Sequence, residues 1–146
     1  MDHSNQSASS VVALLCCFAL CSAMVGCGDG MARVNGGVTL GGEPVSETDL
    51  TRCYVTLKQK SGGVIASGEV DRSGTFSLRV GSSAGMPPGE YAASVRVCEV
   101  TPPPEPGGYS SSRDISPARY ANSKTSGLEV TLAAGSNDIQ LSLDSQ

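Results

Sequence analysis

The chain is 146 residues long with a formal net charge of −4; it is 39% hydrophobic and 16% charged, with 18 Gly, 8 Pro, 6 Cys, one His and no Trp. That length fits one ordinary domain, and a lone histidine near the N-terminus, His3, argues against His-based triads and zinc sites in the rest of the chain. The mild acidity, with no clustered basic face, argues against nucleic acid as a partner, and the glycine and proline content points to turn-rich β-structure.

The first segment reads as an address. Val11 to Gly26, VVALLCCFALCSAMVG, is sixteen residues without a charge, short of the ~20 apolar residues that cross a bilayer but suited to the apolar core of a secretory signal. Ser22, Ala23 and Gly26 supply the slim side chains a signal protease needs. Met24-Val25-Gly26-Cys27 resembles the bacterial lipobox, with Met24 standing where Leu is more usual. The resemblance implies that Cys27 is diacylglycerol-modified and that residues 1–26 are a lipoprotein signal peptide. It also implies an exported protein, held on a bacterial membrane in the periplasm or at the cell surface. An ordinary secretory signal and an uncleaved short anchor are the alternatives. Cleavage before Cys27 would remove Cys16, Cys17 and Cys21, leaving Cys53 and Cys98 as the free cysteines of a 120-residue mature chain.

Residues 27–33 read as a tether, and residues 34–146 as a β-sandwich domain. Period-2 alternation recurs in seven short runs bounded by Gly, Pro, Ser and Asp, as antiparallel strands require. The inward-facing members begin with Val34, Val38 and Leu40, then Cys53, Val55 and Leu57, then Val64, Ala66 and Val70. They continue through Phe76, Leu78 and Val80 to Tyr91, Ala93, Val95 and Val97. Leu128, Val130 and Leu132 follow, and Ile139, Leu141 and Leu143 close the series. The alternate positions, such as Thr75, Ser77, Arg96 and Glu129, are polar, so one face of each strand is dry and the other wet. No run has helical spacing. Asp71-Arg72-Ser73-Gly74 fits a type I turn closed by a glycine at positive φ rather than a calcium loop. Ser61-Gly62-Gly63 fits a tight hairpin, and Gly135-Ser136-Asn137 a turn joining the last two strands.

Three stretches carry a resemblance. Val38-Thr39-Leu40-Gly41-Gly42-Glu43-Pro44-Val45, Asp71-Arg72-Ser73-Gly74-Thr75-Phe76 and Pro88-Gly89-Glu90-Tyr91 are similar to the opening, the D-x-x-G-x-F hairpin and the P-G-x-Y strand entry of carboxypeptidase regulatory-like, transthyretin-like domains. Pro117 to Asn137 resembles the ending of small lipoproteins of planctomycete-type bacteria. The resemblance covers residues 34 to 143. It implies an all-β, seven-stranded Ig/transthyretin-like (prealbumin-like) antiparallel sandwich, and it brings no catalytic residues, metal or cofactor.

Two features remain for function. Cys53 and Cys98 are either a disulfide, closing a loop worth ~4 kcal/mol of chain entropy, or two separate thiols. The parity of Cys98, opposite to Val97, stands against the bridge unless a bulge corrects it. The long connection Thr101 to Ser126 exceeds the ~12–15 residues usual in ordered domains. It offers Tyr109, Arg113, Arg119 and Tyr120 as an interaction loop, or it is a crossing whose Ile115-to-Tyr120 part lies along a sandwich edge. No serine sits in a G-x-S-x-G or S-x-x-K pattern, and Glu43, Glu47 and Asp49 read as solvated loop carboxylates. The expectation is a noncatalytic cell-envelope lipoprotein with a structural or protein-interaction role, its partners the membrane and envelope proteins or glycans. A carbohydrate-binding module is the alternative.

Overall fold

The computed structural model describes residues 29–145. The predicted signal, residues 1–26, and Cys27 lie outside the described residues. Nine strands follow in chain order: β1 (Ala32–Leu40), β2 (Glu43–Pro44), β3 (Thr51–Gln59), β4 (Ile65–Glu69), β5 (Thr75–Ser77), β6 (Gly89–Thr101), β7 (Ser111–Asp114), β8 (Glu129–Leu132) and β9 (Gly135–Leu143). A single 3₁₀ turn, Ala118–Ala121, lies between β7 and β8, and no α-helix occurs among the described residues. Each of the seven alternating runs contributes a strand. The two further strands, β2 and β7, are short and exposed along their whole length, so no apolar period marks them in the sequence.

The strands form two sheets, of four and five strands. In the first, β1 is central, with β9 along one side and β2 and β5 sharing the other. In the second, β3 and β6 are central; β4 flanks β3, and β7 and β8 share the far side of β6. The expectation of a wholly antiparallel arrangement is corrected at β9, which runs parallel to β1 from Ala32 opposite Gly135 to Leu40 opposite Leu143. Neighbouring parallel strands need a connection that leaves and returns. Here the Ala133-Ala134 turn carries the chain from β8, in the second sheet, across to β9 in the first. Gly135, Ser136 and Asn137, expected as a turn, therefore open β9. Asn137 still closes the turn, accepting from the Ala133 amide at 3.0 Å and donating to the Ala133 carbonyl at 2.8 Å.

The two inner faces share one core, in which Val55, Leu57, Tyr91, Ala93 and Val95 are fully buried. Met86 joins them from the glycine- and serine-rich stretch before β6. It exchanges backbone hydrogen bonds with Ala32 at 2.8 and 2.9 Å. That pairing starts β1 at Ala32 and takes two residues from the predicted tether.

Both open sides of the sandwich are closed by the chain itself. On one, the segment expected as a strand over 76–80 divides between the sheets. Thr75–Ser77 pairs with β1, while Arg79 pairs with Ser67 of β4 at 2.9 and 3.0 Å. On the other, the stretch from Ile115 to Leu128 lies between β7 and β8, where β6 has no strand neighbour. Buried Ser116 accepts from the Val97 amide at 3.1 Å, and buried Ser126 donates to the Ala93 carbonyl at 2.5 Å. Two hydroxyls thus take the place of ladder partners on β6.

The Asp71 turn forms as expected, with the Gly74 amide donating to the Asp71 carbonyl at 3.0 Å and Gly74 at φ +82°. The Asp71 carboxylate accepts from the amides and hydroxyls of Ser73 and Thr75, and these bonds, led by the Ser73 hydroxyl, hold its pKa below the usual value. A depressed folded-state pKa stabilises fully above the unfolded value, ~3.9, and that contribution is lost as pH falls through the folded pKa. Acid unfolding of Asp71→Asn, followed by circular dichroism, is expected to be less steep below pH ~4 than that of the parent.

Candidate functional site

The four residues predicted as an interaction loop are not brought together. Tyr109 is 97% exposed on the stretch before β7. Arg113, on β7, pairs with Glu99 of β6 at 2.8 Å. Tyr120, expected either as an interaction-loop contact or as part of a crossing along a sandwich edge, is only 4% exposed: it is the buried residue of the 3₁₀ turn and part of the core. Arg119 lies over the Tyr120 ring, 4.6 Å from its centroid, and pairs with Asp144 just beyond β9. The second half of the connection is therefore the edge-sealing crossing, and only its first half, around Tyr109, stands free in solvent.

Cys53 and Cys98 sit on neighbouring strands but on opposite faces, because Cys53 pairs with Val97 and Arg52 with Cys98, with no bulge between. Both are free thiols. Cys53 faces the core, and burial, reinforced by Cys98 and Glu69 nearby, pushes its pKa up to about 12. Cys98 faces away from the core and stands directly opposite Asp114 of β7. Burial raises its pKa as well, and its thiol donates to the Asp114 carboxylate at 3.0 Å. That bond and the Arg96 guanidinium, 3.0 Å away, hold Asp114 below the usual carboxylate range. Alkylation of Cys53 in the folded protein at neutral pH is expected to run roughly a thousandfold slower than for a free cysteine, since the thiolate fraction falls by about that factor. Peptide mapping without reduction is expected to recover both residues as alkylatable thiols after unfolding.

Two of the concave surfaces among the described residues bear on function. At the end where β1 and β6 finish, a recess of about 300 Å³ opens between the sheets over Leu40, Val45, Val97 and Ile115, rimmed by Thr48 and Thr51. The larger is a furrow of about 470 Å³ on the outer face of the first sheet. Its floor is the backbone of Gly36 and Gly37 on β1. Thr75 and Ser77 of β5 form one wall, and Ser136, Asp138 and Gln140 of β9 the other. Register sets this up: Ser77, Asn35 and Asp138 make one row across the sheet, and Thr75, Gly37 and Gln140 the next. The missing side chain at Gly37 opens the middle of the second row.

The side chains on the two walls of the furrow are polar. Ser77 donates to Asn35 Oδ1 at 2.6 Å, which leaves the Asn35 amide nitrogen as a donor toward solvent. Among the described residues, the side chains of Asp138 and Gln140 make no hydrogen bond or ion pair, so a carboxylate and a carboxamide stand ready on one wall. No cluster of three or more His, Cys, Asp or Glu able to hold a metal ion occurs among the described residues. The furrow was invisible to sequence reasoning because its walls are about 60 residues apart in the chain and meet only through the parallel pairing of β9. The signal that could have found it is the alternation Ser136, Asp138, Gln140, Ser142, an uncharged-to-acidic polar stripe without lysine or arginine.

Comparison of the chain with protein-family models, with curated proteins and with solved structures finds no match in any of the three.

Proposed function

We propose that this chain is a noncatalytic cell-envelope lipoprotein, an Ig/transthyretin-like sandwich of the carboxypeptidase regulatory-like kind held at a bacterial membrane through Cys27. The observation that carries the reading is the uncharged run ending in Met24-Val25-Gly26-Cys27, followed almost at once by an ordered body. Only Gly28 to Met31 separate Cys27 from the first residue of β1, and both Met31 and Ala32 are tied down. The Met31 carbonyl accepts from the Gly135 amide at 2.9 Å, so a lipid on Cys27 would keep Ala32 within ~18 Å of the modified residue.

Charged pairs sit at both ends of the sandwich. At the end where β1 begins, the turns Ser61–Gly63, Gly81–Gly85 and Ala133–Ala134 carry no charged residue, while the Asp29–Arg33 pair and Lys60, paired with Glu129 at 2.7 Å, lie beside them. At the opposite end lie Glu43, Glu47, Asp49, Arg72 and the Arg119–Asp144 pair. With Cys27 held at the bilayer, that opposite end and the Tyr109 stretch would face away from it, toward envelope partners. No large apolar side chain sits on the three uncharged turns, so the lipid would supply all of the membrane affinity. In cells fed a clickable fatty acid, the wild-type chain is expected to be labelled and to sediment with membranes. Cys27→Ala is expected to lose the label; an unlabelled wild type would remove the anchor from this account.

A further inference from the structure

We propose that the furrow on the outer face of the first sheet is a binding site for a neutral, hydroxyl-rich saccharide chain. The assignment rests on the described residues alone and stands whether or not Cys27 is lipidated.

The recognition chemistry is set by what lines the furrow. Adjacent strands lie ~4.8 Å apart, so the two walls, one strand to either side of β1, stand about 10 Å apart over a floor of glycine backbone. The volume, about 470 Å³, falls in the ~300–1,000 Å³ range of small-ligand clefts. Asp138 and Gln140 each present two coplanar polar atoms, and Asn35 presents a free N–H₂. Paired atoms of this kind match the spacing of neighbouring hydroxyls on a sugar ring, accepting from one and bonding the next. Ser136, Ser77 and Thr75 add hydroxyls that donate or accept as required. Gln140 already lies over the floor: a Cβ added to Gly37 would come 2.8 Å from its Oε1. Its flexible carboxamide can lift to close over a ligand.

The same inventory disfavours other ligands. One carboxylate does not make the oxygen cage a hard divalent cation takes. No basic side chain lines the furrow to pair with phosphate or an acidic chain. An extended peptide would be held by main-chain hydrogen bonds along a strand edge rather than by side chains on a sheet face. Phe76, the one aromatic residue in the lining, is only 2% exposed and belongs to the core, so stacking contributes nothing and the affinity is expected to be weak, with a Kd on the order of 1 mM.

The test is a titration of the full ¹⁵N-labelled chain, in a sugar-free zwitterionic detergent, with chitotetraose and maltotetraose, and with an uncharged hexapeptide as the competing class. The proposal expects saturable shifts of the Gly37, Asp138 and Gln140 amides with at least one of the two sugars. Asp138→Ala, Gln140→Ala and Gly37→Ser are each expected to weaken that binding at least ~10-fold with thermal melting held close to the parent. Tyr109→Ala is expected to leave it unchanged. Absence of shifts with both sugars at tens of millimolar, shifts confined to the Tyr109 stretch, or binding of the hexapeptide alone would overturn it.

Discussion

Replacing Gly36 by alanine is expected to be among the most damaging single substitutions in this chain, although it adds only one methyl group. A Cβ at Gly36 would fall 1.9 Å from the Ile139 carbonyl oxygen and 2.9 Å from the Phe76 ring. The first contact is with backbone, which cannot swing aside as a side chain can. Relief would require β1 and β9 to separate, and their pairing runs the full nine residues of each strand. Overpacking a tight interior costs ~1–3 kcal/mol where side chains can adjust. With backbone as the obstacle the expected loss is at least ~3 kcal/mol, or a fall in Tm on the order of 10 °C or more. Gly37→Ala, one position along, is the internal control. Its nearest neighbour is the end of the Gln140 side chain, 2.8 Å away, which can move, so the expected loss is under ~1 kcal/mol. Thermal melts of the two variants side by side would check the contrast, and equal destabilisation would contradict it.

The contrast between those two glycines also shows where sequence reasoning reached its limit. Alternation located the inward residues of all seven long runs, because burial on one face and solvation on the other impose a period of two whatever the topology. It could not say which strand lies beside which, and so nothing in the sequence set Gly36 apart from Gly37. The close approach of β9 exists only because that strand returns parallel to β1, more than 100 residues later in the chain. Met86 escaped for a different reason. It is one apolar residue in Gly81-Ser82-Ser83-Ala84-Gly85-Met86, and a single residue has no period, yet it is fully buried. β2 and β7 escaped because exposed strands are held by backbone pairing and need no apolar pattern. The thiols went the other way. The parity argument against a Cys53–Cys98 bridge needed only the strand period, and the register places the two on opposite faces.

Tyr120 is the residue for which the fold decides between the two readings the sequence left open, and it carries the second large prediction. In the sequence it sits in a long, polar connection with prolines and serines, where an aromatic reads either as a contact offered to a partner or as part of a crossing along a sandwich edge. In the fold its ring enters the core, while its hydroxyl accepts from the Asp144 amide at 3.1 Å and from Arg119 at 2.7 Å. The 3₁₀ turn packs against β6, and Asp144 follows directly on β9, so this one side chain ties the two sheets together on their otherwise open side. Tyr120→Ala removes a buried aromatic and leaves a cavity there, for which ~3–5 kcal/mol is expected, enough to expose the flank of β6 held by Ser116 and Ser126. Tyr120→Phe keeps the ring and deletes only the hydroxyl, with an expected loss of ~0.5–1.5 kcal/mol. Urea titrations of the two variants separate the contributions. In Tyr120→Ala, amides from Ala93 to Val97 should also exchange with solvent faster than those of β3, because the seal over β6 loosens before the core of the second sheet does. If Tyr120→Ala instead melted with the parent, the connection would not be sealing the sandwich, and the aromatic would return to the interaction-loop role that its sequence context left open.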